Sequence, residues 1–503
     1  MRSRRLRGTR GVLVVAFWGV MMVLLAHRER AAQQPREAPP VEWQAQSPPA
    51  DGHSQTEEWL GIYLNGTKLG YAHNRRGRHG DGYRIQTTSR LQLPLQGQLR
   101  DVQTDATVEI DAANRLRTFD FQMRSDVQTM RVQGTAEPRA LHLTIHTGGT
   151  TTRRRLPLQK PILIPDALTP LLARTGRLRP NTTHTVELFD PVALAPATAT
   201  IEVGELERVA GVDGPIEALR TELSYRGFRT VAWVTPEGET LKEESALGWT
   251  TVRQRRETAL APPEAKPDVD LIASAAIPSN IPLRNPRRLR FLRVELTGAD
   301  FSTLSLATER QRVERPDSGI LEIRTETIDP AAVPRRPVSL PRMKPYLAAD
   351  VMVQSDDPEI RATAKEVVAG EPNAWEAAKR IGRWVHDALE KSPTVSVPSA
   401  VDVLRSRRGD CNEHTILFVA LARAAGIPAE IAAGIVYLEQ NNSFYYHAWP
   451  RVWVGRWVSM DPTFGQEIAD AAHIELTHGG LDRQAEILRL VGRLRVRVIK
   501  AEE

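Results

Sequence analysis

From Trp59 to Val234 apolar and polar residues alternate with period two in short runs, the pattern of half-buried β-strands. Leu60-Gly61-Ile62-Tyr63-Leu64 and Thr67-Lys68-Leu69-Gly70-Tyr71 flank Asn65-Gly66, the dipeptide preferred in two-residue hairpin turns. Similar runs recur at Leu91–Leu93, Ala106–Ile110, Thr118–Phe121, Leu141–Ile145, Thr200–Val203 and Thr230–Val234, with a short helix expected within Pro165–Leu178. This predicts a mainly antiparallel β domain over 57–258, its many Thr and Arg residues lying on solvated strand faces. The Pro-rich run Ala261–Pro267 marks a boundary. A small β region with Leu289–Leu296 and Ile320–Ile323 follows, then Pro330, Pro334, Pro337, Pro341 and Pro345 space out a stiff linker, so 259–345 reads as one connecting region. The arginines between Arg284 and Arg293 alternate with apolar residues and read as one wet strand face.

Beyond residue 346 the period lengthens to that of helices. Asp357-Pro358, Asn373 and Ser399 are helix-start signals, and Trp375, Ala378, Ile381, Val385 and Leu389 form one apolar stripe. Thr415-Ile416-Leu417-Phe418-Val419-Ala420-Leu421-Ala422 is apolar nearly all round, which predicts a buried helix. Asp410 is its expected cap, Gly426 its C′ residue, and Pro428 forbids continuation. Strands are expected at Ala429–Tyr437, Tyr445–Val454 and Trp457–Asp461, with further strands near Ile474–Leu476 and Leu494–Ile499.

Composition alters the picture in two places. The formal charge is +6, and the first 30 residues carry seven arginines against one glutamate, so the rest is neutral overall and offers no electrostatic footprint for nucleic acid. Those arginines flank the uncharged run Gly11–Ala26, an export signature without a small-x-small cleavage site. Residues 1–30 therefore read as a signal anchor, with 31–56 a flexible linker. The expected location is a bacterial inner membrane, single-pass through residues 11–26, with the bulk in the periplasm or outside the cell. There is one cysteine, Cys411, so no internal disulfide can form.

Cys411 falls in the first turn of the buried helix, where unpaired N–H groups and the helix dipole favour a thiolate. His447 and Asp461 follow, giving nucleophile, base and orienting carboxylate in chain order. Strand parity constrains this set. A two-residue turn at Gly455-Arg456 would put Asp461 and His447 on opposite faces. A three-residue connection, Val454-Gly455-Arg456, pairs Trp453 with Trp457 and makes His447 and Asp461 diagonal neighbours on one face; a bulge at Pro450 would do the same. Cys411-x-x-His414 has a zinc-like spacing, but no second cysteine exists, so no metal and no cofactor is expected. His386, His473 and His478 fit no pattern and read as fold or solvent histidines.

Gly-x-Cys opening an apolar helix, Arg423-Ala424-Ala425-Gly426-Ile427-Pro428-Ala429, His447-Ala448-Trp449 and Trp457…Asp461-Pro462-Thr463 resemble the bacterial transglutaminase-like cysteine-enzyme family. The resemblance covers about the last third of the chain. It implies a papain-like cysteine domain over 346–503, with a Cys-bearing helix against an antiparallel sheet, and Cys411, His447 and Asp461 as catalytic residues. The β domain ahead of it resembles those of exported relatives. Where the family often has an acidic residue after His-Ala-Trp, this chain has Pro450 and Arg451. The expected fold class is α+β, and the expected function is cleavage of peptide or protein amides through an acyl-enzyme, hydrolysis favoured over amine transfer. The alternative is a non-catalytic binding module whose β domain holds a protein, lipid or glycan. Oligomeric state is not legible.

Overall fold

The structure, a computed structural model, describes residues 56–503 apart from 96–97, 113–114, 127, 226–227, 246–247, 264–270, 272–274, 303, 316–318, 395–396, 398, 485–486 and 488–489. The expected anchor, its linker and most of the Ala261–Pro267 boundary lie outside the described residues. Among the described residues no helix is long and apolar enough to cross a membrane. The described residues fall into two compact units, 56–269 and 270–503.

The α+β expectation is corrected: the chain is mostly β, with 50% of residues in strands and 20% in helices. The period-two region is responsible. It forms one fifteen-stranded sheet, and the described residues of 270–503 add three further sheets, of five, four and two strands.

In the unit 56–269 the strand Thr56–Leu64 lies in the middle of the sheet order. Hairpins lead away from it on one side to Thr150–Pro157, and on the other from Trp249–Gln254 back to Ile162–Leu163. The Asn65-Gly66 turn forms as expected, both residues at positive φ, with Leu64 opposite Thr67. Phe119 and Phe189, on strands near opposite ends of the order, meet at 5.3 Å, so the sheet rolls around its apolar face. The helix Leu168–Arg174 buries Leu168, Leu171 and Leu172, and stacks Arg174 on Tyr83 at 3.7 Å.

In the unit 270–503 one sheet runs in the order Ile277–Pro278, Ser443–Trp453, Ala429–Leu438, His473–His478, with Trp457–Ser459 paired to the second of these. A second sheet joins Gln311–Arg315, Ile320–Arg324, Phe291–Thr297 and Arg495–Glu502. Helices Pro358–Val368, Ala374–Ala388 and Ala400–Ser406 start at Asp357, Asn373 and Ser399, each of whose side chains accepts a backbone N–H. Trp375 and Trp384 are half-buried under Lys379 and Arg407 and do not enter the core.

The helix Cys411–Ala424 is the centre of this unit, and every residue from Cys411 to Ala422 is buried. Asp410 accepts from the Asn412 N–H, and Glu413 accepts from the Asp410 N–H, closing a capping box. At the other end Gly426, at φ +78°, lets the Ile427 N–H reach the Ala422 carbonyl at 2.9 Å.

Candidate active site

Three strands and the start of one helix converge here. The His447 strand, Ser443–Trp453, is antiparallel to Ala429–Leu438 along its whole length, with His447 opposite Gly434. It turns through Val454-Gly455-Arg456, with Gly455 at φ +102°, and pairs Trp453 with Trp457 and Arg451 with Ser459, which is the three-residue register. The Met460 N–H still reaches the Pro450 carbonyl at 2.9 Å. Asp461 then leaves the ladder: it exchanges backbone hydrogen bonds with Gln466, and its Oδ1 accepts the Thr463 and Phe464 N–H groups at 2.8 and 3.1 Å. This Asx-type turn fixes the carboxylate before any histidine approaches it.

His447 Nε2 then lies 2.9 Å from Asp461 Oδ2, with both side chains fully buried. Because that oxygen only accepts, the proton sits on Nε2. Nδ1 is left with a lone pair and no partner in a dry site. Cys411 is fully buried at the helix start, its Sγ receiving the Ala448 N–H. The structure thus pairs His447 with Asp461 and sets Cys411 against Ala448, the next residue on the His447 strand.

One expectation is corrected here. Burial pushes the Cys411 thiol well above its ordinary range, and the carboxylates of Asp410, Glu413 and Asp461 push the same way; the Ala448 N–H only partly offsets them. Burial also pushes His447 down, assisted by His473 and Arg287 and opposed by Asp461. Both shifts favour a neutral thiol and a neutral imidazole over the thiolate that the helix start alone suggested.

His473, Asp470 and Arg287 were not singled out from the sequence. His473 Nε2 is 2.9 Å from the same Asp461 Oδ2, and its Nδ1 is 3.1 Å from Asp470 Oδ1. Asp470 Oδ2 accepts from Arg287 at 2.7 Å, and Arg287 stacks 4.3 Å from the Phe464 ring, which in turn packs on His447 at 5.1 Å. Burial works against charge on His473, but Asp470 and Asp461 outweigh it and hold its pKa above the ordinary value. Asp470 is lowered to about 2: burial opposes this, but His473 and Arg287 outweigh it. Arg287 thus leaves the wet face expected for its cluster. The signal available in the sequence was Asp470-x-x-His473 immediately before the apolar-alternating Ile474-Glu475-Leu476.

The ligand-type atoms of His447, Asp461 and His473 lie within 4.8 Å of one another. The group is a hydrogen-bonded chain: each of those atoms is already engaged within it, and a cation would have to displace the two N–H groups that satisfy Asp461.

His414 faces the site from one turn along the helix. Its Nδ1 bonds the Asp410 carbonyl at 2.6 Å, its buried Nε2 has no partner, and burial pushes its pKa down to about 4. The unfolded chain takes up this proton near pH 6.5 and the folded chain does not, so stability present above pH ~6.5 is lost as pH falls toward ~4, by about 3 kcal/mol. Urea denaturation at pH 7 and pH 4.5 should show His414→Gln losing distinctly less stability over that interval than wild type. An unchanged difference would remove His414 as its source.

Residues 361–462 match the Transglutaminase-like superfamily, so this part of the chain is a transglutaminase-like domain. A relative described as "Uncharacterized protein ML0607" of Mycobacterium leprae (strain TN) is 30% identical over 96 residues, which is 18% of this chain and 34% of the relative. The chain thus spans about a third of that relative's length. Solved structures overlap weakly. The "Putative Cysteine Protease" of Cytophaga hutchinsonii is 17% identical, with 43% of this chain and 85% of that one covered at a TM-score of 0.31. The "Beta-barrel-like Protein of Domain of Unknown Function DUF1849" of Brucella abortus is 15% identical, with 40% and 94% covered at 0.31.

Proposed function

We propose that the chain is a cysteine enzyme acting on peptide or protein amides through an acyl-enzyme, with Cys411 as nucleophile, His447 as general base and acid, and Asp461 orienting His447. One observation carries the reading: a buried imidazole whose Nε2–H is fixed by Asp461 and whose Nδ1 lone pair is unspent, on the strand whose Ala448 N–H holds the only cysteine. The Cys411 proton passes to His447 Nδ1 as sulfur bonds to the amide carbon. The developing oxyanion is met by the Cys411 backbone N–H. Asn412 Nδ2, buried and without a partner, is the adjacent candidate for the second donor. Collapse breaks the C–N bond, and Nδ1–H protonates the leaving nitrogen. Water, deprotonated by the same nitrogen, then releases the acid and restores the thiol; an amine in its place would give transfer. We place the chain in a bacterial inner membrane, anchored through residues 11–26, with the cysteine domain outside the cytoplasm.

The complete burial of Cys411 supports the second reading, a closed papain-like module that binds without turnover. One reagent separates the two and tests location as well. A membrane-impermeant, thiol-directed acyl probe should add one acyl group to the purified protein, seen by intact mass, and none to Cys411→Ala. It should label wild type in intact spheroplasts too. No adduct on purified protein would favour the binding module, and labelling only after lysis would refute export.

A further inference from the structure

We propose that His473 is a positioning residue kept doubly protonated, whose positive charge balances Asp461 and so holds the Cys411–His447 pair neutral until substrate arrives. The second half of this proposal rests on the reading of Cys411 and His447 as nucleophile and base.

His473 offers two ring nitrogens, and each faces a carboxylate oxygen, Asp461 Oδ2 at 2.9 Å and Asp470 Oδ1 at 3.1 Å. A neutral imidazole has one N–H, so either the ring is an imidazolium or one carboxyl carries the extra proton. The shared proton in each bond stays on the ring, because donors other than His473 hold both carboxylates ionised. Asp461 Oδ1 accepts two backbone N–H groups, and Oδ2 accepts His447 besides His473. Asp470 Oδ1 accepts the Ala472 N–H at 2.8 Å, and its Oδ2 accepts Arg287 at 2.7 Å and Gln466 at 2.9 Å. The proton therefore belongs to His473, and the raised pKa of that ring agrees.

The surroundings complete the charge balance. The loop before the His473 strand brings Asp470, and the turn at 286–288 brings Arg287. The His447 strand brings His447 and the edge of the Trp449 ring, and the Trp457 strand leads into Asp461. Phe464 lies edge-on. The cysteine helix contributes His414, which senses Asp461 and is held neutral by burial. The row Arg287, Asp470, His473, Asp461 then alternates in sign and sums to zero, with His447 neutral at its end. Without the charge on His473 the row would be one negative charge in excess in a dry interior, and His447 would draw the proton from Cys411 to cancel it. The fold thus spends half of Asp461 on a second histidine, and the carboxylate orients His447 without charging it.

Two measurements test this. Ring nitrogen NMR of histidine-labelled full-length protein at pH 8, with His473 identified by the signals lost in His473→Gln, should show two N–H groups on His473 and one on His447. A single protonated nitrogen on His473 overturns the proposal, whatever the enzyme turns over. The second is the pH profile of Cys411 alkylation by iodoacetamide. His473→Gln keeps a donor for Asp461 but loses the charge. With the pair drawn toward thiolate and imidazolium, it should react about tenfold faster than wild type at pH 6, while His473→Arg should stay near wild type. A role limited to packing would lower the rate in both variants, and that result sinks the proposal. Absence of acyl transfer in wild type with both readouts as expected would instead defeat the catalytic reading and leave the charge assignment standing.

Discussion

Asp461→Asn is expected to slow acylation by about 10³- to 10⁴-fold while the protein stays folded. An asparagine has one accepting oxygen where Asp461 uses two. Its Oδ1 serves the Thr463 and Phe464 N–H groups and its Oδ2 serves His447 and His473. Whichever way the amide points, its NH₂ faces two donors. His447 can relieve the clash by moving its proton to Nδ1. In the proposed mechanism that removes the lone pair Cys411 needs and leaves His447 in the wrong tautomer. Burial holds the Asp461 carboxyl back from ionising, but His447 and His473 outweigh it and keep the pKa well below the ordinary range, so the charged form is the one to be replaced. The acylation rate of the probe on wild type and variant, with circular dichroism confirming the fold, gives the answer. A loss of less than tenfold would take Asp461 out of the mechanism.

Arg451→Met should be the most destabilising single change in the unit, by about 3–5 kcal/mol, because it leaves buried carboxylates uncompensated. Arg451 stands where the resemblance leads one to expect an acidic residue on the substrate side. Its side chain is instead buried: it donates to Glu475 at 2.8 Å, lies 3.6 Å from Glu430, and stacks over Trp457. The neighbouring His478 bonds the same Glu475 oxygen from a half-exposed position. Burial already pushes the Glu430 carboxyl up, with Arg451 the main opposing influence. In the variant that carboxyl rises further above its unfolded value, so the folded state takes up a proton more readily. The penalty is then full at high pH and shrinks as pH falls through the raised value. Urea unfolding at pH 7.5 and pH 5.5 should show the gap to wild type narrowing in acid. A gap that is small, or that does not change with pH, would mean Arg451 is not what compensates these two glutamates.

How much of this could be read from residue order depends on the range of the interaction. Local signals were sufficient for local structure: Asp357, Asn373, Ser399 and Asp410 cap their helices because a side-chain oxygen two or three residues away satisfies the first N–H groups. Strand parity called for an odd offset, through a three-residue connection or a bulge at Pro450, because a slip of one residue would separate His447 from Asp461; the pairing of Trp453 with Trp457 is the first of these. Burial was not legible in the same way. The helix start favours a thiolate, yet the thiol is raised, because desolvation is decided by distant strands that cover Cys411. His473 looked idle because its partners, Asp461 and Asp470, are chosen by a turn whose shape depends on Gln466 meeting Asp461. The class assignment failed for a related reason: period-two runs reveal that strands exist but not that fifteen of them join in one sheet.

The pairing of Phe291–Thr297 with Arg495–Glu502 has a kinetic meaning. Glu295 and Arg497, bonded at 2.7 Å, stand 202 positions apart. Closing so long a loop costs about 5 kcal/mol of chain entropy before any contact repays it. The cysteine helix and its strands lie inside that loop and form mostly near-neighbour contacts, so they can assemble first. Arg287, four residues ahead of Phe291, reaches Asp470 across 183 positions of chain. In refolding, Cys411 and His447 should therefore meet early and the far end of the proposed charge row should arrive last, which makes the final folding step also the one that completes the charge balance around the thiol.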